Sequence, residues 1–312
     1  MNSKVNSELN LKLGSELSPS QNAEILKFVR EAGQKAVQLR TEGFQVDDKG
    51  IDDRVTNVDR ILDGLLTQQF QQWFPSDIVI SEENSLSQKQ WLQNDCQQDQ
   101  ASLWFIDPID GTEDFIHGQE NYAVMIGLLK AHQPIMGWVY APVGDRFYFG
   151  GSAIDGLFSN LNDNLNISAD ANRENSTFKP LIPQMPLPDS CQVILSSKDE
   201  YAYGAAIRSA IPQAEFYSLG SFGLKVMEVV LGRASLYIYL NRRVKLWDTV
   251  GPLAIAKAAG LVCCDLEGRE IGFGMDAINP DTLIHHQVIL VGWQDFLDRF
   301  RPKIAEALRD LL

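Results

Sequence analysis

No apolar run in the 312 residues approaches the roughly 20 that a membrane-spanning helix needs, so a helical membrane protein is excluded. The opening residues, MNSKVNSELNLKLGSELSPS, also lack the apolar stretch of a secretory signal, and 1–19 read as a polar leader. Cysteine is scarce: Cys96, Cys191, Cys263 and Cys264 show neither zinc-ligand nor redox CxxC spacing. Cys263 and Cys264 lie in an apolar run and read as strand packing, so a cytoplasmic location is expected. The four histidines, His117, His132, His285 and His286, have no triad-like context, and no cysteine nucleophile motif is present. Positive charge is also in deficit. With 27 Lys and Arg against 41 Asp and Glu, the net charge of −14 disfavours a nucleic-acid backbone or an anionic membrane as partner.

What remains is the composition of a globular protein, with 45% hydrophobic and 22% charged residues. Ile25, Val29, Ala32, Ala36 and Leu39 recur at helical spacing between Ser20 and Gly43, and Asp47–Asp53 reads as a charged loop. A second helix carries Val58, Ile61, Leu62, Leu65, Leu66 and Phe70, opened by Thr56 and Asp59 in a capping-box pattern. Short strands follow at Ile78–Ile80 and Leu103–Ile106, on either side of a Gln-rich surface stretch at 88–100. Tyr122–Leu129, Pro134–Tyr140 and Arg146–Gly150 then read as a meander. Beyond an Asn-, Ser- and Pro-rich stretch, strand and helix patterns alternate to the end of the chain. The expected organisation is an α+β half (20–160), a linker or loop (161–190) and an α/β half (191–312) that completes the site begun in the first.

The most informative segment is Trp104–Phe115, WFIDPIDGTEDF. An apolar strand ends at Asp107, Pro108 holds that residue extended, and Asp110 returns from the expected turn, so two carboxylates enter one space. Such a pair is favourable with a cation between its members, and hard oxygen ligands suit Mg²⁺ or Mn²⁺. Gly111 and Thr112 then open a segment whose free N–H groups and positive helix end suit a phosphate. An Asp-Pro turn closed by its own side-chain hydrogen bond is the competing reading. Three further acidic positions weigh against it: Glu82 at a strand tip, Asp248 just inside a helix, and Asp59.

In order along the chain, VTNVD (55–59), SEE (81–83), DPIDGT (107–112) and WDTVG (247–251) resemble the motifs of the inositol monophosphatase family. These are lithium-sensitive, Mg²⁺-dependent phosphomonoesterases, and the resemblance runs from about Ser20 to Gly292. It implies a layered αβαβα sandwich of the sugar-phosphatase type. It also implies two or three Mg²⁺ ions, or Mn²⁺, held by Glu82, Asp107, the carbonyl of Ile109, Asp110 and Asp248, with Asp107 bridging two of them. Thr112, paired with Asp59, would position and deprotonate the attacking water, with Glu82 part of the same catalytic set. The N–H groups of Gly111 and Thr112 would hold the phosphate.

Family members hydrolyse inositol phosphates, adenosine bisphosphates, histidinol phosphate or fructose bisphosphate. Inositol phosphatases carry a Glu seven residues before the WD aspartate, where this chain has Asn241. Arg242, Arg243 and Lys245 beside it favour a more anionic ligand. ISEEN, PIMGWVYAPV and SLGSFGLK are similar to the bisphosphate-nucleotide phosphatase branch, whereas the spacing from Gly220-Ser221 to Gly232 is nearer the inositol branch. A 3'(2'),5'-bisphosphate nucleotide is therefore the expected substrate, contacted by Gly220, Ser221, Asn241 and Arg243. Inositol monophosphate, fructose bisphosphate, histidinol phosphate and a non-catalytic phosphometabolite-binding role are the alternatives. Lys49 stands near the position of a family loop lysine, one residue closer to VTNVD than in the inositol branch. The expected partner is thus a small phosphate ester. Many members are dimers, so a homodimer fits the resemblance, although no interface can be read from the chain.

Overall fold

The computed structural model describes residues 17–50, 53–84, 102–154, 156–161 and 178–312. The leader up to residue 16, Cys96 with the Gln-rich stretch, and residues 162–177 of the expected linker lie outside the described residues. Helix α1 (Pro19–Glu42) begins in a capping box between Ser18 and Gln21 and stops at Gly43, φ 100°. Strands β1 (Val46–Gly50) and β2 (Asp53–Thr56) pair as an antiparallel hairpin where a charged loop was expected. All of β1 is exposed, so no apolar alternation announces a pairing that rests on backbone hydrogen bonds. Helix α2 (Asn57–Trp73) buries Val58, Leu62, Leu66 and Phe70, one residue per turn. Ile61 and Leu65, expected on that face, flank it and are 40% and 43% exposed.

Strand β3 (Ile78–Ser81) pairs in parallel with β4 (Ser102–Asp110). The second strand does not turn away after Ile106. Asp107 lies opposite Met125 and Asp110 opposite Ala123, so three steps on β4 match two on its neighbour, and the DPID segment is a bulge. Proline has no N–H to give the ladder, and a bulge is where a sheet tolerates it. Helix α3 (Thr112–Ile116), β5 (Ala123–Lys130), β6 (Gln133–Ala141), β7 (Arg146–Gly151), β8 (Gly156–Ser159) and β9 (Lys179–Pro180) follow. Among the described residues, β3 to β9 form one seven-stranded sheet in chain order.

The rest of the chain is β10 (Gln192–Leu195), α4 (Ser197–Ala210), β11 (Glu215–Tyr217), α5 (Phe222–Val230), β12 (Leu236–Tyr239), α6 (Leu246–Ala258), β13 (Val262–Cys264), β14 (Ile289–Gly292) and α7 (Gln294–Leu308). Its strands form a five-stranded mixed sheet in the order β11-β10-β12-β14-β13. Helix α4 and strand β11 have weak sequence signals and were not anticipated. Cys263 and Cys264 are buried, unbridged packing groups in β13.

Period-two alternation sorts each central strand between two cores. Trp104, Ile106, Val124 and Ile126 pack under α1 and α2, while Phe105 and Met125 face the other way. Val193, Leu195, Leu236 and Ile238 pack under α4 and α7, while Ile194 and Tyr237 face inward. The inward residues of both sheets meet on α5 and α6, which gives the layers α1/α2, sheet, α5/α6, sheet, α4/α7. Among the described residues no helix is long and apolar enough to cross a membrane.

Glycines let α6 lie directly on the sheet. A Cβ at Gly137 would stand 1.9 Å from the Gly251 carbonyl oxygen, and one at Gly127 would stand 2.5 Å from the Gly251 nitrogen. Gly137→Ala should therefore destabilise by about 1–3 kcal/mol or prevent folding, because backbone faces backbone and no flexible side chain can yield. Gly64, exposed in α2 with nothing within 4 Å of an added Cβ, is the control. Gly64→Ala should stabilise by about 0.4–1 kcal/mol. Urea unfolding of both variants checks the pair.

Candidate metal centre and active site

The bulge in β4 and the first turn of α6 bring three carboxylates together. One oxygen from each of Asp107, Asp110 and Asp248 lies within 4.8 Å of the others. The scaffold holds each acid by an oxygen: Asp107 Oδ1 accepts from Ile109 N at 3.0 Å, and Asp248 Oδ2 from Lys245 N at 2.7 Å. Asp110 Oδ2 accepts from the Ser221 hydroxyl and from Gly223 N at 2.9 Å. Asp248 is both a helix cap and a member of the cluster.

Enclosure makes this arrangement costly in the absence of a cation. Asp107 has its carboxyl pushed well above the usual range, first by burial and then by the charges of Glu82, Asp110 and Asp248. Asp248 is pushed to about 8 by burial and the charges of Asp110 and Glu82. Burial also raises Asp110, although Ser221 and Gly223 oppose the rise. Three oxygen donors that repel one another in a low-dielectric space fit a hard divalent cation. Asp107, Asp110 and Asp248 are the residues that would hold it.

Glu82 follows β3, its N–H donating to the Ile106 carbonyl at 3.2 Å. Its charge acts on Asp107, Asp248 and Asp59, while its carboxylate meets Lys49 Nζ at 3.2 Å. Lys49 Nζ also meets Glu83, whose pKa burial and Glu82 raise to about 7. The hairpin lysine is thus tied to both acids of the SEE motif. Asp59 divides its two oxygens. Oδ2 takes the Thr56 N–H at 2.8 Å, closing the capping box of α2, and Oδ1 takes the Thr112 hydroxyl at 3.2 Å. The Thr112 hydroxyl also lies 3.0 Å from the Ile109 carbonyl oxygen.

Gly111 sits at φ 94° before α3, where a Cβ would stand 3.0 Å from both the Asn121 carbonyl and Ser221 N. The helix it opens has five residues, too short for the helix-end effect expected from the sequence, so any phosphate binding there rests on individual N–H groups. Gly220 and Ser221 act on the acids: Gly220 N donates to Asp114 Oδ2 at 3.0 Å, and Ser221 to Asp110. Asn241 Oδ1 accepts from Arg243 N at 3.1 Å. The basic cluster divides. Arg243 is exposed, Lys245 Nζ lies 5.0 Å over the Trp247 ring, and Arg242 borders a separate cleft of about 780 Å³ that contains none of the acids named above. Sequence reasoning missed Lys225, one helical turn after Ser221 and buried among four aspartates, although the spacing was available in SLGSFGLK.

A profile of the inositol monophosphatase family matches residues 21–310. The chain belongs to the inositol monophosphatase family. Membership places it among the phosphoric monoester hydrolases. It is 28% identical over 260 residues to inositol monophosphatase 3 of Solanum lycopersicum, covering 80% of this chain and 90% of the relative. It is 24% identical over 285 residues to the 3'(2'),5'-bisphosphate nucleotidase CysQ of Haemophilus influenzae, covering 88% and 93%. The Staphylococcal IMPase-I structure complexed with products shares the fold at TM-score 0.70 and 18% identity, over 95% of this chain and 97% of that one.

The raised carboxyls have a measurable consequence. An acid that holds its proton more tightly in the folded than in the unfolded state favours folding at low pH, and that advantage is lost as pH rises through its folded pKa. For Asp248 the window runs from its ordinary 3.8 to about 8. In chelator, the melting temperature should fall as pH is raised across this window. Saturating Mg²⁺ should flatten the decline, and a pH series of thermal melts with and without Mg²⁺ tests both statements.

Proposed function

We propose that this protein is a divalent-metal-dependent phosphomonoesterase acting on a 3'(2'),5'-bisphosphate nucleotide. The observation that carries the reaction is the Asp107–Asp110–Asp248 cluster in the same structure as the Thr112–Asp59 hydrogen bond. Asp107, Asp110 and Asp248, with Glu82 and the Ile109 carbonyl, would hold Mg²⁺ or Mn²⁺. The chemistry such cations supply when bound is neutralisation of phosphoryl charge and acidification of water.

The proton path belongs to the chain itself. When its one hydroxyl hydrogen is directed at Asp59 Oδ1 and not at the Ile109 carbonyl, Thr112 keeps an oxygen lone pair free to accept a hydrogen bond from water. As the water oxygen bonds to phosphorus and the ester P–O bond breaks, the water's proton passes to Thr112 Oγ1 and the threonine proton to Asp59, while the departing alkoxide takes a proton from solvent. Burial has raised the proton affinity of Asp59, which suits it as the final acceptor. Gly111 and Thr112 N–H groups orient the phosphate.

For the rest of the substrate, support comes from Asn241 in place of a hydroxyl-binding Glu, from the exposed Arg243, and from the 285-residue match to a bisphosphate nucleotidase. The 28% identity to a plant inositol monophosphatase favours inositol 1-phosphate as the second reading.

Thr112→Ala and Asp59→Asn should each lower kcat by about 10²–10⁴-fold. Both should leave Mn²⁺ binding nearly unchanged, whereas Asp110→Asn should lose metal binding and turnover together. Phosphate release and Mn²⁺ calorimetry on the three variants separate these roles, and full activity in Asp110→Asn refutes the mechanism. Adenosine 3',5'-bisphosphate should be hydrolysed better than inositol 1-phosphate or fructose 1,6-bisphosphate, with KM rising about tenfold in Arg243→Ala. A preference for inositol 1-phosphate that Arg243→Ala leaves intact rejects the nucleotide assignment.

A further inference from the structure

Lys225 is the most deeply buried cation among the described residues, at 6% exposure. It lies on α5 one turn beyond Ser221, so its side chain folds back towards the start of the helix. Nζ donates to the Gly220 carbonyl at 3.2 Å and stands 5.7 Å from the centre of the Tyr237 ring. Burial lowers the pKa of its ammonium, and the charges of Asp110, Asp114, Asp199 and Asp248, contributed by β4, α3, α4 and α6, oppose that fall and favour the charged form. Among the described residues Nζ makes no ion pair with any of them, its hydrogen bond going to the Gly220 carbonyl. Its influence on the cluster is therefore a field, and it blocks no carboxylate oxygen that a metal would use.

The Gly220-Ser221 turn does not need Lys225 to stay in place. Gly220 N is bound to Asp114, Ser221 N to the Asn121 carbonyl at 3.0 Å, and the Ser221 hydroxyl to Asp110. The lysine adds a buried positive charge behind an acidic pocket already anchored by its backbone.

We propose that Lys225 is the resident cation of the site. It keeps the acidic pocket assembled before a divalent ion arrives, and by the same charge it limits how tightly that ion binds. The two effects are one coupling read from two sides: a positive charge that stabilises the metal-free cluster opposes entry of a second cation to the same extent. This inference rests on the reading that Asp107, Asp110 and Asp248 hold the metal.

The sign of the effect is diagnostic, because structural damage at a metal site weakens binding and does not strengthen it. Mn²⁺ alone is titrated calorimetrically into the full-length protein at pH 7. Lys225→Met should bind Mn²⁺ about three- to tenfold more tightly than wild type. Lys225→Gln, which keeps a donor for Gly220 without the charge, should also tighten, and Lys225→Arg should match wild type. Melting temperatures of Lys225→Met should fall in chelator and return close to wild type in saturating Mg²⁺.

Unchanged or weaker Mn²⁺ binding in both neutral variants overturns the proposal. So does a melting-temperature loss equal with and without Mg²⁺, or failure to fold in both conditions. If the wild type binds no Mn²⁺, the metal-site reading itself fails, a result distinct from the others.

Discussion

The repulsion among Asp107, Asp110 and Asp248 is the constraint around which the molecule is built. Three carboxylates whose oxygens lie within 4.8 Å, two of them buried and Asp248 half-buried, do not stay ionised unaided. The fold answers with helix starts. Helices α2, α5 and α6 each begin at one of these acids or at Asp59: Asp59 and Asp248 occupy the third position of their helices, and Asp110 accepts from Ser221 and Gly223 at the start of α5. Helix N-termini carry free N–H groups and a partial positive charge, so their convergence supplies donors where negative charge is concentrated. That support does not restore ordinary acidity to Asp107 or Asp248. The remaining deficit is what a divalent cation can fill.

Bringing those helix starts to one place is the task of the layered architecture. Gly251 of α6 lies against Gly127 of β5, and Gly127 pairs with Phe105 of β4. From that contact, three residues back along α6 is a rise of about 4.5 Å to Asp248. Two residues along β5 is a rise of about 6.8 Å to Met125, which pairs with Asp107. The absent side chains at Gly127, Gly137 and Gly251 thus set the height at which Asp248 meets the bulge. Residues far from the chemistry fix its geometry because only backbone separates helix from sheet.

Much of this was legible in the sequence, for identifiable reasons. The helices with a clear apolar stripe announce themselves through periodicity, as with Val58, Leu62, Leu66 and Phe70, and the strands buried on both faces through continuous apolar runs, as in Ala123–Leu129. The β1–β2 hairpin does not, because it buries nothing on β1 and leaves no pattern. Proline and aspartate punctuate turns, so the DPID segment reads as one, but its strand continues, and Ile109 is buried in the core under α1 and α2. The basic run at 242–245 looks like one patch as text. Arg242 is held at φ 52°, and the three side chains meet different surroundings. Backbone conformation decides where a loop side chain goes, and residue type alone does not encode it.

The harder ambiguity lay in the acids. Read singly, Asp59 and Asp248 are adequately explained as helix caps, and the structure shows that they are caps. Capping and function were nevertheless not alternatives. A carboxylate has two oxygens, and one committed to a backbone N–H fixes the direction of the other. Asp59 shows this most clearly, with Oδ2 in the capping box and Oδ1 on Thr112. An uncapped aspartate would sample several rotamers, and a multi-ligand site gains from having them restricted beforehand. The cap therefore makes the functional assignment stronger, because it supplies the orientation that a metal ligand or proton acceptor requires.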